Sequence, residues 1–161
     1  MSSLNDTARE SRRWPVRFLR ISLTVTALLM FGQAVLAGLF MGGLTSAFAL
    51  HREMATASGI VLMISIVAAI LARRLGQAPR WPIWATVGLL AFMSLLAFAG
   101  FRSLVALHVP LGVIMILLTA VLTMWVWRYV PTSAESAVSE RDGVTFGSDE
   151  GAELPTSTLA R

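Results

Sequence analysis

The chain has 161 residues, of which 56% are hydrophobic and only 14% charged, where a soluble domain carries about a quarter charged. It has no cysteine, which excludes disulfides, thiolate metal sites and cysteine nucleophiles. Lysine is absent, and the formal charge of +4 comes from arginines flanking apolar segments, a pattern suited to anionic lipid headgroups and not to a basic nucleic-acid-binding face.

Residues 1–20 form an arginine-rich leader holding Arg9, Arg12, Arg13, Arg17 and Arg20, with an amphipathic entry at the headgroups from about Trp14. The first apolar run, Ile21 to Gly43, exceeds the ~20 residues that cross a bilayer. An Arg12-Arg13 pair and an Ala47-Phe48-Ala49 stretch superficially resemble a cleaved export signal, but the apolar run is about twice a signal core. It therefore reads as a retained span. The stretch LTSAFALHRE reads as a connector. The second span runs from about Ala55 to Leu71, with a start at His51 in the interface as an alternative, and stops at Arg73 and Arg74. Pro79 and Pro82 separate it from the third span, Pro82 to about Phe101, beside the belt residues Trp81 and Trp84. After the short connector RSLVA, the fourth span runs from about Leu107 to Trp127, closed by Trp125, Arg128 and Tyr129. From Pro131 the chain is polar and without apolar periodicity, as a disordered tail is.

The domain plan is thus a leader over 1–20, a bundle over 21–129 and a tail over 130–161. Arginines concentrate in the leader, the middle connector (Arg73, Arg74, Arg80) and Arg128, while the other two connectors hold one each, Arg52 and Arg102. The positive-inside rule puts both termini and the middle connector on the cytoplasmic side, and the connectors holding His51 and His108 on the outer side.

The two halves resemble each other. AVLAGLF then LHREMATASGIVLMISIVAAILARR in the first matches SLLAFAGF then LHVPLGVIMILLTAVLTMWVWR in the second. This pairs Ala37-Gly38 with Ala99-Gly100 and Leu50-His51 with Leu107-His108, the first connector being longer by five residues. The fold class is all-α: a four-transmembrane-helix up-down bundle built from a duplicated helix hairpin.

Only two histidines exist, His51 and His108, each near the start of a returning helix. In an up-down bundle those helices are diagonal partners, so their imidazoles reach inward at one depth and fit a shared iron, such as that of haem b. Taken singly, each is also an ordinary interfacial residue. Zinc is less suited, because two histidines and the nearby Glu53 fall short of its usual ligand set. Beneath His51 runs a small stripe of Ala55, Ser58, Gly59, Leu62, Ser65 and Ala69, and beneath His108 one of Gly112, Met115, Thr119 and Thr123. Either leaves room for a flat cofactor or for close helix packing. Gln33 should face the bundle and hydrogen-bond, as a supporting group or as interhelical glue. Arg52 and Arg102 suit propionates or headgroups. Met54, Met93 and Met115 are alternative soft ligands, though methionine is more often a gap-filler. Ala34, Gly38 and Gly42 form a small-residue packing ladder. Glu53 is the single acidic residue between Ile21 and Trp127, which leaves little for carboxylate-driven transport.

These residues, with QAVLAG at Gln33 to Gly38, resemble one four-helix half of the haem A synthase family over Ile21 to Trp127. The resemblance implies histidines at the outer ends of the second and fourth helices that ligate haem. The family's catalytic glutamate would fall at Phe48, so the oxidation chemistry of that family is not implied here. The chain is also similar to small four-helix bacterial membrane proteins with no assigned activity. Two functions follow as expectations: a membrane protein binding haem b through His51 and His108 for electron transfer or haem handling with a membrane redox partner, or a non-catalytic scaffold or assembly partner.

Overall fold

The structure, a computed structural model, describes residues 2–129, with side chains from Trp14 onward. It consists of four helices: α1 (Ser2–Met41), α2 (Ser46–Gly76), α3 (Trp81–Phe101) and α4 (Val105–Arg128). All four hold stretches long and apolar enough to cross a membrane, of 28, 31, 21 and 24 residues. The chain is an all-helical membrane-type bundle. The tail expected from residue 130 lies outside the described residues.

α1 runs unbroken from Ser2 through Pro15 into the first span. One boundary differs from the sequence reading. The stretch LTSAFALHRE is not a connector, because α2 starts at Ser46 and only residues 42–45 link it to α1. His51 is therefore inside α2, more than a turn from its start, and not in an interfacial loop. His108 sits in the first turn of α4.

Each break has a local cause. Gly43 takes φ +100, a conformation open to glycine, and reverses the chain after α1. Gln77 adopts a left-handed conformation (φ 53) after α2, and the Ala78 N–H returns to the Ala72 carbonyl at 3.1 Å. Pro79 then prevents the helix from continuing.

The helices form a closed ring: α1 packs on α2 and α4, and α3 packs on α2 and α4. α2 and α4 are parallel diagonal partners. Between lipid-embedded helices the cohesion comes from close packing and polar contacts, not from a hydrophobic effect. Accordingly the interior is small and hydroxylated, with Ser22, Thr26, Ser58, Ser65, Thr86, Thr119 and Thr123 all buried. Most of these hydroxyls return to a carbonyl one turn back, as Thr119 does to Met115 at 2.8 Å. Thr123 also donates across the bundle to the Leu23 carbonyl at 3.3 Å. Large apolar side chains such as Leu28, Phe31, Val67, Leu117 and Val121 cover the outside.

The duplication is visible in the backbone. After α1, Gly43 N–H bonds Phe40 O and Leu44 N–H bonds Leu39 O, both at 3.0 Å. After α3, Ser103 N–H bonds Gly100 O at 3.1 Å and Leu104 N–H bonds Ala99 O at 2.9 Å. Ser103 repeats the left-handed turn residue, with φ 56. The two hairpins thus share one turn, with Gly43 matched to Ser103.

Candidate functional site

Each hairpin brings its histidine onto the preceding helix. His51 Nδ1 lies 3.1 Å from the backbone carbonyl of Gln33, and His108 Nδ1 lies 2.9 Å from that of Leu96. A carbonyl only accepts, so Nδ1 carries the proton and donates in both rings. In the neutral imidazole this leaves the Nε2 lone pair free on each. Metal-binding histidines are oriented in this way, with one ring nitrogen tied to a carbonyl and the other available.

The two rings meet across the diagonal, with centroids 6.3 Å apart and planes at 67°. Two imidazoles bound trans to one metal, at about 2.0 Å per bond and roughly 1.1 Å from nitrogen to ring centre, would stand about 6 Å apart. Both rings border a cavity of 210 Å³. Its floor includes Met30 and Met115, both buried, and its walls include Ala37, Ala55, Leu96 and Gly112. The surface is almost entirely apolar apart from the two imidazoles and Gln33.

Measured from the shared turn, the site is not at the same height in the two hairpins. Gln33 and His51 lie ten and eight residues from Gly43, whereas Leu96 and His108 lie seven and five from Ser103. Each leg of the first hairpin is therefore longer by three residues, nearly one helical turn or about 4.5 Å. The sequence alignment of Ala37-Gly38 with Ala99-Gly100 needs correcting, since neither register pairs them. The histidine register matches Ala37 with Gly100, and the turn register matches Gly38 with Phe98. The extra length lies in the helices, not in the connector. The protruding turn is closed by Phe40 against Phe48, with ring centroids 5.1 Å apart.

Gly100 is a residue that sequence reasoning undervalued. A Cβ there would stand 3.1 Å from both Cε1 and Nδ1 of His108, so the ring packs on bare backbone. The signal was present as a glycine eight residues before the histidine across a very short turn. Gln33 is placed on the cavity, as expected, but its role differs. Its backbone carbonyl receives His51, while both polar atoms of its side chain are buried with no hydrogen-bond partner. A buried, unsatisfied amide costs about 1–3 kcal/mol, which a polar atom on a bound ligand would relieve.

Met93 and Met115 border the cavity, whereas Met54 packs on Gly32 of α1. Arg52 and Arg102 are exposed and do not line the cavity. Glu53 is exposed as well. No group of three histidine, cysteine or acidic side chains able to hold a metal ion occurs among the described residues. The donor set of two imidazoles suits a metal that brings further ligands of its own. The Ala34, Gly38 and Gly42 ladder, expected to pack, is exposed, and a Cβ at Gly38 would meet nothing within 4 Å. The close approaches occur elsewhere, at Gly32 against Met54 and at Gly100 against His108.

Comparison with protein-family models, curated proteins and solved structures found no match.

Proposed function

We propose that this protein binds one b-type haem in the membrane through His51 and His108, for electron transfer or haem handling with a membrane redox partner, in a bacterial plasma membrane with both termini cytoplasmic. The observation carrying this reading is the pair of anchored rings: each Nδ1 lies against a backbone carbonyl and the ring centroids are 6.3 Å apart, which in the neutral imidazoles leaves each Nε2 lone pair for a ligand. His51 and His108 would hold such a group without a third protein ligand, because a haem carries four nitrogen ligands of its own. When bound, such a group supplies reversible one-electron chemistry.

The chain's own residues account for the rest. Gln33 O and Leu96 O fix the rings, and Gly100 leaves His108 room to seat. Ala37, Ala55 and Gly112 keep the walls thin. Gln33 offers the one polar side chain to a ligand edge, and the exposed Arg52 and Arg102 are available to its propionates. The test is to purify the protein in detergent, add haem b, and record absorption and paramagnetic resonance spectra. The expected result is a low-spin bis-imidazole signature at one haem per chain. A folded protein with no Soret band after haem addition overturns the reading.

The exposed Ala34, Gly38 and Gly42 ladder favours a second reading, a scaffold that associates through α1. Cross-links from α1 to a partner, in a protein that takes up no haem, would establish it instead.

A further inference from the structure

The cavity is not closed on all sides. The lining residues that are also exposed are Ala34 and Met41 on α1, Val109 and Val113 on α4, and Ala97 on α3, with none from α2. The seam between α1 and α4 accounts for four of these five, all but Ala97. Its hydrogen bonds sit toward the chain termini: Arg20 to the Val126 and Tyr129 carbonyls, Thr123 to the Leu23 carbonyl, and Trp127 to Thr24. Beyond Met30 on α1 and Met115 on α4, toward the histidines, neither helix has another buried residue. Gln33, with its unpartnered amide, marks the inside of the same opening.

From this geometry we propose that the site loads sideways from the lipid: the parted seam between α1 and α4 is a lateral entrance for a flat, membrane-dissolved ligand. The residues around the seam belong to stretches long and apolar enough to cross a membrane, where hydrocarbon would border them. Ala34 and Gly38 lower the α1 bank of the entrance, and Gly112 lowers the wall behind it. The cavity's 210 Å³ is below the roughly 300–1,000 Å³ of sites that swallow a whole ligand. An extended macrocycle would therefore keep an edge in the seam, where lipid or a membrane partner reaches it. The ligand's identity rests on the haem reading, but the route does not.

Two measurements test the route. In the first, haem is presented in lipid vesicles to the protein in proteoliposomes. Ala34→Phe and Val113→Trp should each slow uptake by roughly tenfold or more relative to the unsubstituted chain. Leu117→Trp, lipid-facing but outside the lining, should not. Unchanged rates in both plugged variants overturn the route. The second needs no haem. The chain has no cysteine, so Ala37→Cys carries a nitroxide at a single site on the cavity wall. Dissolved oxygen, which partitions into hydrocarbon, should relax that label, and a water-soluble nickel chelate should not. Ala34→Phe should reduce the oxygen effect. Relaxation by nickel equal to that at a water-exposed site overturns the lateral route. If no haem binds yet oxygen reaches the label through an unplugged seam, the route stands and the cofactor reading falls.

Discussion

The two ends of the bundle are built for opposite purposes. At the terminal end, Val16, Leu19, Leu23 and Thr26 of α1 meet Thr119, Leu122 and Val126 of α4 in a filled interior. Arg20 clasps it, with Nε 3.1 Å from the Val126 carbonyl, Nη2 2.7 Å from that of Tyr129, and its guanidinium 5.4 Å from the Trp127 ring centre. These are the orphan carbonyls at the C-terminus of α4, where a cation is favoured. Trp125 stacks on Tyr129, with ring centroids 5.3 Å apart, and meets Trp81 edge-on at 4.3 Å. At the histidine end the interior is a cavity, and the polar groups are held ready without being satisfied. The contrast indicates where stability and binding are located: substitutions at one end should change melting, and at the other ligand chemistry.

The largest expected effect is at the imidazoles. His51→Ala or His108→Ala should each remove the low-spin signature of added haem completely, because one remaining imidazole cannot complete six-coordination. Both variants should keep their melting temperature in detergent within a few degrees, since neither ring belongs to the packed interior. Retention of the low-spin spectrum in either variant would show that other side chains bind the iron.

At the opposite end, Arg20→Ala should cost about 1–3 kcal/mol of stability, the range for charge-assisted hydrogen bonds that leave carbonyls unpaired. Haem affinity should be unchanged. Arg20→Lys should recover only part, because a single ammonium cannot fork onto two carbonyls. Thermal unfolding in detergent, paired with haem titration, reads both quantities. A loss of haem affinity in Arg20→Ala would show that the ends are coupled.

The sequence revealed the inward faces well. Ser58, Leu62, Ser65 and Ala69 of α2, and Met115, Thr119 and Thr123 of α4, are all buried. The reason is chemical: a hydroxyl facing hydrocarbon has no outside partner, so small polar stripes turn inward. The diagonal meeting of His51 and His108 was legible from helix order alone. The α1 face was not. Ala34, Gly38 and Gly42 permit close approach, but permission does not supply a neighbour, and in uniformly apolar helices no hydrophobic contrast shows which stripe is covered. The depth of His51 was also hidden, because Ala47-Phe48-Ala49-Leu50 suits a helix or an interfacial connector equally. The hydrogen bonds to Gln33 O and Leu96 O involve backbone atoms, which carry no residue signature.

Gln33 gives an effect of opposite sign in the free and loaded states. Gln33→Leu keeps the side-chain volume and removes two unpartnered polar atoms. The ligand-free protein should therefore become more stable by about 1–3 kcal/mol. The carbonyl that holds His51 is untouched, so the low-spin spectrum should persist, while haem affinity falls by the contact the amide would have made. If Gln33→Leu lowers the stability of the ligand-free protein, the amide has a partner there and its availability to a ligand is refuted.

The smallest effects separate the two glycines that sequence alignment pairs. Replacing a helical glycine by alanine gains about 0.5–1 kcal/mol when nothing obstructs the new methyl. At Gly38 nothing lies within 4 Å, so Gly38→Ala should stabilise the protein by that amount and leave haem binding alone. At Gly100 the methyl would stand 3.1 Å from the His108 ring, a ring fixed at 2.9 Å to Leu96 O only four residues earlier on the same helix. The ring must yield, and its Nδ1–H bond stretches as it does. Gly100→Ala should therefore forfeit the propensity gain and shift the ligand-field bands of bound haem toward a weaker axial bond. Melting curves and spectra of the two variants side by side decide the matter. Equal stabilisation, with identical spectra, would mean that His108 does not rest on the α3 backbone, and the matched pair of anchored imidazoles would be lost with it.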